Sequence, residues 1–278
     1  MIDASAREKV DRLTWTVAKY VADFPRGTVF AASSCAMAGI RLSQEMLGCR
    51  LALCSRGGAY DPRGPLSLHA RWWIFNRSPR AYIDLKDVFD TLSEPHALLA
   101  TPAQVDGQAN ANLTCIGPHE RPKVAFGGAR GLPDARAIHF VMPGYNARQL
   151  VETVSFVSTR GAARDTPALL MTEDFVLRWT HAADCWTLEA LAAGVALADI
   201  ADRIGFPVRA GQDVVSLDAP PAEAIRLLAE IDPLDLRALD FVSDRASQLD
   251  AIGAIYDAES KRIGASVVPG KRGMVGAP

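Results

Sequence analysis

The chain has 278 residues, 49% of them apolar and 22% charged, and a net charge of −2 at pH 7. That balance describes a folded globular body and excludes a disordered chain; it also supplies no broad basic face for a nucleic acid. No stretch is long and apolar enough to span a bilayer, and residues 1–9 lack the apolar core of a secretion signal, so a cytoplasmic protein is expected.

Val10, Leu13, Val17, Tyr20, Val21 and Phe24 recur at helical spacing and predict an amphipathic first helix that Pro25 and Gly27 end. Residues 28–33 read as a strand. A small-residue turn, Ser33-Ser34-Cys35-Ala36, leads into a helix over residues 36–47 that Gly48 closes, and residues 51–55 read as a second buried strand. This strand–helix–strand rhythm predicts an α/β fold with an open, mostly parallel sheet and flanking helices.

Residues 56–79 are irregular and rich in Gly, Pro, Arg and Trp, too long for a plain connection and suited to a functional loop or a subunit contact. Arg63, Arg71, Arg77 and Arg80 read as a solvated face, with phosphate contact as the alternative. Trp72, Trp73 and Phe75 fit a partner or substrate surface as well as packing. Asp84 is placed to cap a helix reaching about residue 92. Residues 97–101, 138–142, 156–158 and 169–171 read as strands, 188–191, 197–204 and 222–231 as helices, and 214–217 as a late strand. After Pro233 the pattern changes: 236–258 is largely helical and 267–278 has the composition of a loose tail. The expected division is therefore a body over residues 1–235 and a helical extension with a loose tail over 236–278.

The five cysteines, Cys35, Cys49, Cys54, Cys115 and Cys185, show no C-x-x-C spacing and no histidine pair beside them. They predict reduced thiols and no metal site. His139, inside an apolar strand, reads as a satisfied core histidine, and His119 is a weak candidate for chemistry.

The most informative stretch runs from residue 97 to residue 131. An apolar strand opens into a loop dense in carboxamides, Gln104-Val105-Asp106-Gly107-Gln108-Ala109-Asn110-Ala111-Asn112, followed by Thr114-Cys115-Ile116-Gly117 and a glycine-rich turn, Phe126-Gly127-Gly128-Ala129-Arg130-Gly131. Asn and Asp fold back on their own backbone and stiffen such a loop. Glycines let backbone N–H groups approach a ligand closely.

The order of Gln104, Asp106, Asn110, Asn112, Thr114, Ile116 and Gly117, then Arg121-Pro122-Lys123-Val124 and the glycine-rich turn, resembles the B (beta) subunit of family I CoA-transferases, which includes glutaconate and 3-oxoacid CoA-transferases. The turn spelled Phe126 to Pro133, with Arg130 and Gly131, is nearer the branch of the CoA-dependent, steroid ring-cleaving hydrolase. Similarity continues through Val151-Glu152-Thr153-Val154, Phe156-Val157-Ser158-Thr159, Ala193-Gly194-Val195, Ile204-Gly205-Phe206 and Glu230-Ile231-Asp232-Pro233. The resemblance implies a CoA-transferase-like fold, an acyl-CoA substrate with coenzyme A as its only cofactor-like part, and a partner A (alpha) subunit in an α2β2 assembly.

In the transferase branch a glutamate at the end of the strand matching residues 51–55 attacks the thioester and carries CoA covalently. Here that Glu-Ser-Gly turn reads Ser55-Arg56-Gly57-Gly58, and no acidic residue stands between Glu45 and Asp61. The resemblance therefore implies a hydrolase of the ring-opening type whose base comes from the partner subunit. CoA transfer with a nucleophile from elsewhere, or a binding subunit without chemistry, are the alternatives. By the same resemblance Arg130, Gln104, Asn112, Gly127, Gly128, Gly131, Ser33 and Ser34 contact the acyl-CoA. Arg130 has the planar fork that grips a carboxylate or thioester oxygen. Asp106 matches the family's Asp, but Gly107-Gln108-Ala109 departs from the Arg-Tyr-Gly that follows it there. Asn110 reads as part of a self-bonded turn, and Ser33 and Ser34 are as well suited to capping the next helix as to touching pantetheine.

Overall fold

A computed structural model describes residues 3–54, 59–68, 80–82, 97–126, 135–160 and 166–266 of the chain. Helix α1, Ala4–Ala22, starts where the Asp3 carboxylate accepts the Ala6 N–H, and it buries Val10, Leu13, Val17 and Val21 along one stripe. Strand β1, Gly27–Ala31, follows the predicted stop, and helix α2, Ser34–Met46, begins at the Ser33 cap. Gly39 of α2 meets α1 so closely that a Cβ there would lie 2.7 Å from Val17 and 2.9 Å from the Thr14 carbonyl oxygen. Only a glycine lets the two helices approach in this way. Gly48, at φ +70°, turns the chain into β2, Leu51–Cys54.

Short strands β3, Ala59–Tyr60, and β4, Ala81–Tyr82, extend the sheet beyond β2. β5, Ala97–Ala100, lies on the other side of β1. Three small pieces come next: β6, Gln104–Val105, β7, Asn110–Asn112, and the ribbon of β8, Cys115–Ile116, with β9, Val124–Ala125. The main sheet resumes with β10, Ala137–Val141, while β11, Thr159–Arg160, joins β7. β12, Ala168–Met171, β13, Phe175–Thr180, β14, Cys185–Ala192, β15, Val208–Arg209, and β16, Val215–Leu217, complete the strands.

Among the described residues the main sheet runs β15-β14-β13-β12-β10-β5-β1-β2-β3-β4, with β16 also paired to β14. The centre, β12-β10-β5-β1-β2, is all parallel, and the antiparallel pairs lie toward the two sides. The expected open, mostly parallel α/β sheet is the observed one. Its two faces are covered differently. Helices α1 and α2 bury Val29, Leu53, Leu99, Val141 and Met171 on one face. On the other, Phe30, Leu98, Ile138, Phe140 and Leu170 pack against Val105, Ala111, Leu150 and Phe206, which belong to strands and loops. No helix among the described residues is long and apolar enough to cross a membrane.

Two expectations are corrected. Residues 188–191 are not helical: they lie in β14, where Trp186, Leu188, Ala190 and Ala192 are buried and alternate with partly exposed positions. The short Leu-Glu-Ala-Leu string fits either period, and the alternation over eight residues decides it. Residues 156–158 are not a strand, and pairing begins only at Thr159. The strand β13 was not anticipated. The helix expected from Asp84 falls outside the described residues.

Beyond Pro233, a 3₁₀ turn, Leu236–Phe241, packs on α1 and α2 and buries Leu236, Ala238 and Leu239. The final helix, Arg245–Ser266, follows a break at residues 242–244. Arg237 ties the turn to the body: its guanidinium, 7% exposed with its residue, reaches Asp11 of α1 at 2.9 Å and Asp232 at 3.1 Å. Removing one member of a buried ion-pair network leaves uncompensated charge and costs about 3–5 kcal/mol. Arg237→Ala is therefore expected to lower unfolding stability by about that much in urea titration, whereas Arg226→Ala, in an exposed cluster with Glu223 and Glu230, leaves it nearly unchanged.

Candidate functional site

β1 pairs with β2 on one side and with the later β5 on the other, so the chain changes its direction of travel across the sheet at β1. Open α/β sheets place their ligand crevice at such a switch, outside the carboxyl ends of the strands. Two expected segments arrive there: Ser33 and Ser34 follow β1, and the carboxamide loop follows β5.

That loop is more regular than its composition suggested. β6 pairs with β7, and β11 adds a third strand. Asp106, 2% exposed, sits inside the turn and accepts the N–H groups of Gln108 at 3.0 Å, Asn110 at 2.9 Å and Val154 at 3.3 Å, as well as the Asn110 carboxamide at 3.1 Å. Its backbone carbonyl accepts the Trp186 indole N–H at 2.9 Å, which joins the loop to β14. Ala109 takes φ +58°, the left-handed region that tight turns require. Asn110 accordingly belongs to a self-bonded turn.

Asn112 is fully buried. Its carboxamide donates to Gln104 Oε1 at 3.0 Å, the Cys115 carbonyl at 2.6 Å and Ser155 Oγ at 3.1 Å, and accepts from the N–H groups of Thr114 and Cys115. Gln104 and Asn112 are thus brought together. The Gln104 oxygen also accepts from the Ser155 N–H and hydroxyl, while its amide nitrogen bonds to no described residue. The arrangement leaves Gln104 an N–H₂ donor on a pinned carbonyl, a group suited to orient an oxygen of a ligand.

At the start of α2, Ser33 Oγ accepts the Ala36 N–H at 3.2 Å, a capping bond. The first turn holds a second acceptor that sequence reading missed. Asp240, carried in by the 3₁₀ turn, accepts the Cys35 N–H at 2.7 Å and also bonds Ser33 and the Ser34 N–H. Burial pushes its carboxyl up to about 6, and these donors oppose the shift only in part. An isolated Asp in a tail carries no signal of such a role; only the long-range packing of Arg237 and Leu236 brings it there.

A further polar cluster follows β10 and β12. Glu173, 1% exposed, accepts the Gly144 N–H at 3.1 Å, and burial raises its carboxyl above the usual range. Asp174 accepts the Tyr145 hydroxyl at 3.1 Å and lies within 3.6 Å of Arg12 and 3.5 Å of Arg203. The glycine and acids directly after the two strands were a readable turn signal. Cys54, the last residue of β2, is buried, and desolvation drives its thiol up to about 12, so it is protonated at neutral pH. His139 is a core histidine whose Nδ1 accepts the Leu169 N–H at 3.2 Å. Ser55, Arg56, Gly57, Gly127, Gly128, Arg130 and Gly131, together with Trp72, Trp73 and Phe75, lie outside the described residues.

No family model matches the sequence, and no curated protein matches it. Solved structures do share its fold. The decarboxylase AibA/AibB superposes with a TM-score of 0.69 at 21% identity, over 82% of this chain and 96% of that one. Glutaconate coenzyme A-transferase from Acidaminococcus fermentans gives 0.67 at 18%, over 81% and 95%. IpdAB from Rhodococcus jostii RHA1 gives 0.70 at 20%, over 84% and 98%. The fold is like that of glutaconate coenzyme A-transferase, as expected from the sequence.

The Asp240 carboxyl sits above its unfolded value, near 3.9, so its protonation stabilises the fold below pH 4 and that contribution is lost as the pH rises through about 6. Asp240→Asn keeps an oxygen acceptor for the helix without the charge. Denaturant unfolding should show the variant gaining on the parent between pH 4.5 and pH 7.5; an identical difference at both pH values would refute the assignment.

Proposed function

We propose that the chain is the B-type subunit of a two-subunit enzyme acting on an acyl-CoA thioester, and that it works as a CoA-dependent hydrolase of the ring-opening kind. The observation that carries this reading is where its nearest acids stand. No Asp or Glu lies between Glu45 and Asp61. Glu45 is held at 3.1 Å by Arg41 near the carboxyl end of α2, which faces away from the switch. Asp61, 2% exposed, is held by Gln44 and Arg63, each at 2.9 Å. Among the described residues neither reaches the end of β2 as a free nucleophile, which supports a decisive carboxylate drawn from a partner subunit.

In this reading the partner's glutamate removes a proton from water, and the water oxygen attacks a ring carbonyl of the substrate; the adjacent ring carbon–carbon bond then breaks, its electron pair leaves on carbon, and that carbon takes the proton back. This chain binds and orients. The Gln104 amide and the Arg130 guanidinium stabilise negative charge as it develops on the substrate oxygen. Asp106 and Asn112 hold the loop that carries Gln104, and the glycine turn of Gly127, Gly128 and Gly131 lets backbone approach the thioester. Ser33 and Ser34 shape the start of α2. Coenzyme A enters and leaves with the substrate, and an α2β2 assembly places the site at the subunit junction.

A second reading rests on Cys54. Its protonated thiol ends β2, one residue before Ser55, the position that matches the transferases' glutamate, and AibA/AibB, which shares the fold, is a decarboxylase whose structure has been solved with several replacements of one cysteine. A neutral thiol is a proton donor and a poor covalent carrier. Release of CO₂ from an acyl-CoA acid by the assembled enzyme would favour this reading over hydrolysis.

The chain alone is expected to show no turnover, and the assembled enzyme to give full turnover with no CoA or acyl adduct on this polypeptide after hydroxylamine or borohydride trapping and mass spectrometry. A modified Asp or Glu here would restore CoA transfer. Gln104→Ala in the complex should lower kcat/KM by roughly 10- to 100-fold through loss of one oriented donor. Unchanged turnover and affinity would instead point to a binding subunit.

A further inference from the structure

A second charged site lies at the opposite edge of the sheet. In the β1–β2 register Gly27 stands beside Leu51, so the residues just before the strands, Arg26 and Arg50, enter side by side. On the far side of β2 the Asp61 N–H bonds the Leu53 carbonyl at 2.7 Å and the Arg80 N–H bonds the Tyr60 carbonyl at 3.0 Å, which brings Arg63 and Arg80 to the same corner. Together Arg26, Arg50, Arg63 and Arg80 line a cavity of about 280 Å³ whose one acid among the described residues is Asp61.

Asp61 is the anchor of this corner. Its buried carboxylate accepts from Gln44 at 2.9 Å and holds Arg63 at 2.9 Å and Arg80 at 3.8 Å. Glu45, outside the cavity, lies 3.8 Å from Arg63 and is already paired with Arg41. Arg26 and Arg50 are exposed and bond to no described residue. The carboxyl ends of α1 and α2 lie shortly before Arg26 and Arg50 and favour a nearby cation. That accounts for one arginine at each end, but not for four guanidinium groups lining one cavity with, among the described residues, one carboxylate between them.

We propose that this corner binds a ligand bearing two adjacent phosphates. A guanidinium fork matches a pair of phosphate oxygens, and one carboxylate would satisfy only one such fork. Two linked phosphates offer enough oxygens and charge for Arg26 and Arg50, with Arg63 and Arg80 already oriented by Asp61. The site is at the amino end of β2, so it is separate from the crevice at the carboxyl ends of β1 and β5, about one strand length of roughly 13 Å away along β2. It stands independently of the acyl-CoA reading.

Calorimetric titration of the full-length chain at fixed ionic strength tests it, with inorganic pyrophosphate as the probe, sulfate as the comparison anion and ADP as the nucleotide-borne form. Saturable one-to-one pyrophosphate binding, at least tenfold tighter than sulfate, is expected. Arg26→Ala and Arg50→Ala should each weaken it about tenfold or more, the loss of a charge-assisted hydrogen bond, with thermal unfolding unchanged because neither side chain supports the fold. Arg226→Ala, elsewhere on the surface, should leave it intact. ADP binding tighter than pyrophosphate identifies a nucleotide-borne diphosphate, and weaker binding a free one. No saturable binding, equal affinity for sulfate, unaltered affinity in both arginine variants, or an equal loss in Arg226→Ala would each overturn the proposal.

Discussion

The structure depends on one constraint: a buried loop must satisfy its polar groups from within. One face of the central sheet is covered by helices, whose backbones are self-satisfied. The other is covered largely by the segment after β5, which has little regular structure. Asp106 and Asn112 resolve the difficulty. Between them two buried side chains accept or donate nine hydrogen bonds to the surrounding loop. Without them Val105, Ala111 and Leu113 could not lie against the sheet, because the cost of unpaired N–H groups would exceed what those side chains contribute by burial. The rigidity that makes Gln104 a usable donor is a consequence of this packing.

The carboxyl-terminal segment answers a second requirement. Helix α2 begins at the carboxyl end of β1 with backbone donors that need acceptors. Ser33 supplies one and Asp240 supplies another from more than 200 residues away. Arg237 secures the same turn through Asp11 and Asp232. The residues that close the top of the first strand–helix unit therefore include two from a segment far along the chain. An anion approaching that helix start from outside meets a carboxylate already in place.

Charge is distributed in keeping with this division. Buried acids, Asp106, Glu173, Asp174 and Asp232, stand in turns or at the ends of elements, where backbone donors or arginines receive them. At the amino end of β2 the balance reverses, with arginines around Asp61.

Much of the architecture was legible because it follows from periodicity. The stripe Val10, Leu13, Val17 and Val21, the apolar strands around residues 29, 53, 98 and 139, and the Gly48 stop are local signals read correctly, as is the helix Ala222–Ile231. The carboxamide loop was recognisable as a stiff, bonded turn because Asn and Asp act on neighbouring backbone. Residues 188–191 misled because four residues cannot separate a period of 3.6 from a period of 2 when the surroundings are apolar. What no local pattern could decide is pairing at a distance: Asp240 on α2, Arg237 between Asp11 and Asp232, Trp186 on Asp106, and the four arginines about one cavity. Those arise because folding brings remote segments into register, and the energy of a buried charge or hydrogen bond depends on who arrives beside it.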